Sequence, residues 1–468
     1  MLRDSEFEEL HAATLQILEE VGFRVPDKET LAAVEKAGLR VDWDAQCIRF
    51  SGQQVNDAIA SAPKEVRIYS HPSDGFVSLG TTTRFMPSGT GVAIFDIESG
   101  QRRDSRARDV SDLVKLQEVL KNVDIARSMV TALDFGENSD LVECYLLLRH
   151  THKPFMHRTL GEKNARCLVR MGEIVAGGPE ELRRKPPFTV VYCPKTPLSM
   201  SPEAVRSMLT FAAAGVPILV LSMAMGGATA PMTLPGELLV INAEVLAGIT
   251  IVQTLYPGTP VMYGSVASVL DMKTAVLALG APERGLLNTL CAELAQRYGI
   301  PSVMGGLSSD AKEFDEQAGF EKAVTAWPLM GKASLVFGMG MMDSANTYAF
   351  EQLVLDNELA GAMKRACGGL APGSFAEELA LIKEVGITGE YISTDHTLRY
   401  YKSHWQPEFI TRSPFERWRD KGVNLVGKVR QKIVKLLEES APSVLDDAVD
   451  RDLRNALSEY GITLPEQI

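Results

Sequence analysis

Apolar residues in the first sixty positions recur at helical spacing. Phe7, Leu10, Ala13, Thr14, Ile17 and Leu18 put one apolar stripe on residues 5–21, with Gly22 placed to end the helix. A second helix is expected over 28–37, closed by Gly38, and a third over 53–62. The period then shortens. Residues 66–69, 76–79 and 92–96 read as strands, and Glu98-Ser99-Gly100-Gln101 as a hairpin turn. Residues 1–105 are therefore expected to form an N-terminal mixed α/β unit.

Beyond residue 108 helical stripes alternate with short apolar runs. Helices are predicted at 109–121, 138–151, 162–176, 202–214, 236–255, 282–298, 317–330 and 346–366. Between them lie runs at 125–133, 154–157, 188–193, 216–225, 260–266, 301–307 and 333–339. Seven strand-then-helix alternations with short turns imply a parallel sheet, and this many repeats favour a closed (β/α)8 TIM barrel over residues 106–370. The pattern does not reveal an eighth strand. No G-x-G-x-x-G follows the early strands, which weakens a dinucleotide-binding alternative. Residues 371–468 read as a C-terminal helical segment covering the barrel.

Composition narrows the class. The 468 residues are 45% apolar and 23% charged, which excludes a disordered chain. The 48 Lys and Arg against 60 Asp and Glu give −12, with no cationic cluster for nucleic acid. Six scattered cysteines, with no C-x-x-C pair, read as reduced thiols of a cytoplasmic protein. The start of the chain has no apolar signal core, and the apolar run 216–224 is too short to cross a bilayer, so no membrane is expected.

In such a barrel the site lies at the C-terminal strand ends. There the sequence supplies glycines, as turn residues or for close backbone approach, and many methionines: Met223, Met225, Met304, Met339, Met341 and Met342. If outward positions are apolar, polar members point inward, and Tyr263 with Ser265 would face the lumen. Asp310 is either a site carboxylate or a helix N-cap. His150, His152 and His157 do not have the spacing of a zinc site, and no metal is expected. There is no G-x-S-x-G elbow and no phosphate loop.

Three stretches together resemble the trimethylamine methyltransferase family: 96–103 (Asp-Ile-Glu-Ser-Gly-Gln-Arg-Arg), 308–322 with its Ser-Ser-Asp-Ala-Lys, and 395–401 (Asp-His-Thr-Leu-Arg-Tyr-Tyr). The resemblance implies a (β/α)8 barrel that moves a methyl group from an amine to the cobalt of a corrinoid (cobalamin) held by a partner protein. No cofactor is then bound tightly to this chain. Founding members carry pyrrolysine near this Ser-Asp-Ala-Lys motif, whereas 305–312 here holds ordinary residues only. Leu307 or Ser308 would take its place. The chain is thus similar to the non-pyrrolysine branch, which includes glycine betaine:corrinoid methyltransferases.

Chemistry agrees with that branch. A quaternary ammonium leaves as a neutral amine and needs no activation, so the enzyme has only to position the methyl group and exclude water. Glycine betaine is the leading substrate. Alternatives are carnitine, proline betaine or trimethylamine, a quaternary-amine binder without catalysis, or a lyase using Lys195 or Lys312. By position and chemistry, Tyr192, Tyr263, Met304 and Phe337 are candidates for the cation. Ser265, Ser308, Lys312, His396 and Arg399 are candidates for a carboxylate. Residues 394–405 are expected as a cover over the barrel mouth, or a docking surface, and a homo-oligomer is expected on general grounds.

Overall fold

The computed structural model describes residues 2–465 except 72, 74, 81, 371–372, 422–423 and 442. Its centre is a parallel sheet of seven strands in the order Arg84–Pro87, Leu335–Met339, Ser302–Gly305, Val261–Ser265, Ile218–Ser222, Phe188–Tyr192 and Phe155–His157. The two ends of this sheet are joined by residues 124–126. The Asp124 amide donates to the Phe85 carbonyl at 2.8 Å. On the other side the Ala126 amide donates to Pro154 (2.9 Å) and the Met156 amide to Ala126 (3.0 Å). Eight walls, each followed by a helix, close a (β/α)8 barrel.

The first wall, Arg84–Pro87, lies ahead of residue 105, inside the stretch read as the N-terminal unit. Four residues between turn-forming neighbours look no different from the antiparallel strands around them. The second wall was concealed for another reason. It holds its place through single bridges and through the Asp124 carboxylate, which accepts from the Phe85 amide at 2.8 Å, rather than through a run of β-formers.

The helices follow their stripes closely: Ala107–Val119, Ser139–His150, Gly161–Ala176, Pro202–Ala214, Leu234–Leu255, Pro282–Tyr298, Glu316–Ala326 and Phe350–Cys367. Ser201 caps Pro202–Ala214 by accepting from the Ala204 amide. Gly177, Gly215 and Gly299 end three helices in the left-handed region, where glycine carries no Cβ penalty. Leu234–Leu255, not 216–224, is the long apolar run. It is long and apolar enough to cross a membrane, yet it is mostly buried against the fifth strand and the N-terminal helices.

The N-terminal elements serve the barrel. The hairpin Val66–Tyr69 and Phe76–Leu79 plugs its N-terminal end, with Val66, Ile68 and Leu79 in one buried cluster with Met156, Leu219, Met262 and Leu335. The hairpin Ala93–Phe95 and Arg102–Asp104 stands at the opposite end and pairs with Thr347–Tyr348. The last two C-terminal helices lie on the barrel's flank. Leu425–Glu438 packs on Phe350–Cys367 and Ala107–Val119, and Asp447–Glu459 packs on Gly161–Ala176. Trp405 lies beside Gly361 and Asn122, near the N-terminal strand ends.

Candidate functional site

Strand side chains alternate between two layers. The inward layer contains Met86, Ile125, Met156, Leu219, Leu221, Met262, Val303, Leu335 and Phe337, which form one cluster. Val191, Cys193 and Val266 join it and are only half-buried, while the outward residues around them are buried. The lumen is therefore reachable at its C-terminal end. Its methionines are Met86, Met156 and Met262. Of those expected, Met304 and Met339 belong to the helix-facing cluster and Met223 is exposed at the mouth.

The expected parity is reversed. Tyr192, Tyr263 and Met304 belong to the cluster between strands and helices. The Tyr263 hydroxyl donates to Asn242 Oδ1 at 3.0 Å, and Ser265, on the same face, accepts from the Ala267 amide at 3.2 Å. Asn242, on the helix behind the strands, satisfies Tyr263, so polarity does not mark the lumen here. Of the four cation candidates, only Phe337 points inward.

At the mouth the structure assembles residues the sequence did not single out. Arg127, just past the second wall, is 6% exposed, and its guanidinium carbon lies 5.8 Å from the Phe337 ring centroid. Among the described residues its side chain has no hydrogen-bond or ion-pair partner. Arg284, from the first turn of Pro282–Tyr298, is 2% exposed. Its Nε donates to Ser308 Oγ (3.0 Å) and its Nη1 to the Val266 carbonyl (2.5 Å), while Nη2 has no acceptor among the described residues. Burial lowers Arg284 to about 10. Tyr348 donates to Ser88 Oγ at 2.9 Å, and both guanidinium charges act on its hydroxyl. Burial pushes the Cys193 thiol up to about 11 against the pull of Arg127.

Three glycines make room for this trio. A Cβ at Gly89 would strike the Arg127 side chain, one at Gly91 the Tyr348 ring, and one at Gly305 the Arg284 Nη2. Glycines at strand ends were thus a usable signal, but the groups that approach them come from the protein itself.

The remaining candidates separate. Ser308 is buried and orients Arg284. Asp310 caps no helix; it accepts from the Leu279 and Gly280 amides and from Ser344 Oγ, tying three mouth loops. The cap of Glu316–Ala326 is Asp315. Lys312 is exposed and bonds the Asp310 carbonyl and Asp343. His396 pairs with Glu378 at 3.1 Å, and Arg399 lies over Tyr400, both contacts within the C-terminal segment.

Deeper supports were also invisible in sequence. Lys322 Nζ, fully buried, bonds Asp356 (2.7 Å) and the Leu307 carbonyl (2.8 Å), while Asp356 accepts from the Gly340 amide. This pair fixes the loops after the seventh and eighth strands, including Leu307 at φ 46°. Glu244 gathers Thr196, Leu198 and Ser222, and Arg158 occupies Glu143. Among the described residues no three His, Cys, Asp or Glu side chains converge for a metal. His150, His152 and His157 turn to Ser111, Glu118 and the Asp140 carbonyl.

Residues 1–459 match the family model described as trimethylamine methyltransferase. The chain belongs to this family. A trimethylamine methyltransferase of Desulfitobacterium hafniense is 31% identical over 98% of this chain and 94% of its own length. A glycine betaine methyltransferase of the same species is 28% identical over 100% and 98%. Among solved structures, the monomethylamine methyltransferase of Methanosarcina barkeri aligns with a TM-score of 0.55 at 11% identity, covering 94% of this chain and 88% of that one. The barrel is accordingly that of a methyltransferase, and the protein is an enzyme.

Glu237 lies on Leu234–Leu255. It is buried, accepts from the Gly226 amide, and leaves Oε2 without a partner; burial raises it to about 7. Gly226 follows the fifth strand, so Glu237 holds the base of a mouth loop.

Proposed function

We propose that this methyltransferase takes a methyl group from a quaternary amine, glycine betaine foremost, and passes it to Co(I) of a corrinoid carried by a separate protein. The observation that carries this reading is the lumen wall. Its inner face is a hydrophobic cluster of aliphatic side chains, methionines, Cys193 and Phe337, and the described strand positions that share this face hold no Asp, Glu or Lys. Nothing in such a wall activates a neutral tertiary amine, and residues 305–312 supply no electrophile. A quaternary nitrogen needs neither.

The step balances without a proton. The methyl C–N bond breaks, and its electron pair stays on nitrogen, giving dimethylglycine. Co(I) supplies the pair for the new Co–C bond and becomes methyl-Co(III). The protein's work is positioning and dryness: Phe337 offers its face to the ammonium, and the hairpin at the closed end keeps water from entering behind the substrate. Exposed Met223, Met232 and Met272 on the mouth loops give the partner's corrinoid an apolar rim.

Two further parts of the reading have their own support. None of the six cysteines is paired, which suits the reducing cytoplasm that Co(I) requires. Leu370, Phe375, Ile387, Ile392 and Leu398 are exposed on one segment, a face that a second subunit would bury; sedimentation should show an oligomer, and a monomer at micromolar concentration removes that part.

The enzyme, a reduced corrinoid protein and glycine betaine should give methyl-Co(III) with one dimethylglycine per methyl group, followed by the loss of Co(I) absorbance. Carnitine and proline betaine are run alongside. Turnover of trimethylamine with no response to any quaternary amine would overturn the proposal.

A further inference from the structure

We infer that Arg127 and Arg284 form the seat of an anionic group on the methyl donor, with Tyr348 beside Arg127, so that the donor is a zwitterion bearing a carboxylate. This rests on the quaternary-amine reading and narrows it.

A buried guanidinium is costly unless it is paired and hydrogen-bonded, because a charge away from water loses its solvation. Here neither arginine has a carboxylate within ion-pair distance among the described residues. The acidic groups near them are already engaged. Glu143 accepts from Arg158 at 2.8 Å, and Asp310 accepts from Leu279, Gly280 and Ser344. An anion on these nitrogens would come from outside the chain.

The surroundings are built for it. Gly89, Gly91 and Gly305 are the positions where any side chain would displace Arg127, Tyr348 or Arg284. Ser308 and the Val266 carbonyl fix two of the Arg284 nitrogens and leave Nη2 over Gly305, whose strand partner is Phe337. Arg127 has its guanidinium carbon 5.8 Å from the centroid of the same Phe337 ring. A carboxylate seated on these nitrogens leaves its trimethylammonium head, one carbon away in glycine betaine, beside Phe337. The same two positive charges repel a quaternary ammonium that carries no anion. Selection against choline, and against trimethylamine in its protonated form, follows from charge.

Calorimetric titration of the intact enzyme tests this with glycine betaine, choline and 3,3-dimethylbutyrate, the uncharged-head isostere of betaine. Wild type should bind betaine at least tenfold more tightly than choline. Arg127→Gln should lose at least tenfold for betaine with no loss for choline, and Arg127→Lys should recover part of it. Arg284→Gln, which also frees Ser308, should show the same pattern, and Arg127→Gln stands alone where that variant misfolds. Equal betaine affinity in wild type and Arg127→Gln would overturn the seat while leaving the methyl-donor reading intact. Choline bound as tightly as betaine would also overturn it. Arg127-dependent binding of 3,3-dimethylbutyrate with no binding of any quaternary amine would support the seat and defeat the donor reading.

Discussion

Arg127 places a full charge where the protein offers it no acceptor, so its removal should stabilise the fold. Replacing a poorly compensated buried charge with an apolar side chain of similar length is worth about 1–3 kcal/mol. Arg127→Met is therefore expected to raise the unfolding free energy in urea by that amount in the absence of ligand. A loss of stability would mean that the guanidinium is already satisfied. Glu237 gives a second residue-level test. Its carboxyl keeps its proton up to about pH 7 in the fold but only to its ordinary value near 4.5 when unfolded. The folded state holds more protons in that window, so this group's contribution is complete below about pH 4.5 and is lost as pH rises through about 7. Glu237→Gln should flatten that part of the Tm-against-pH curve; an unchanged slope would show that Glu237 is not its source.

Elements differ in how far the sequence reveals them. Many of the barrel helices are legible from a polar face or from a serine, proline or glycine at their ends, as Ser201, Pro202 and Gly215 mark one of them. The strands were legible as runs but not as faces. A parallel strand buried on both sides is apolar throughout, so Ile218–Ser222 gives no sign of which residues point inward. That is why Tyr263 and Met304 were assigned to the lumen and Leu219 and Met262 were not. The loops after the seventh and eighth strands depend on the buried Lys322–Asp356 pair. Asp356→Ala leaves the ammonium buried alone and should cost about 3–5 kcal/mol, whereas a combined Lys322→Met, Asp356→Leu variant should recover most of it. A double variant as unstable as the single would show that the loops need the charges themselves. Denaturant curves for the three proteins decide between these outcomes.

At the scale of the whole molecule, the site exists only because the barrel closes. Arg127, Arg284, Phe337 and Tyr348 come from four different turns of the chain, and no local spacing relates them. The family resemblance rests on stretches with different fates: 308–322 carries bonds that tie the mouth loops, while His396 and Arg399 make their contacts within the C-terminal segment, so a motif does not of itself mark a site. A ligand that fills this site must stabilise the whole barrel; at a hundred times its dissociation constant the gain is about 2.7 kcal/mol. Thermal unfolding should therefore shift upward with glycine betaine in wild type and not in Arg127→Gln. The most direct measurement is a crystal structure of the enzyme with glycine betaine. The trimethylammonium group should lie in the lumen against Phe337, with the carboxylate on Arg127 and the Arg284 Nη2. Betaine bound outside the barrel, or in the lumen with its carboxylate turned away from both arginines, would contradict the account.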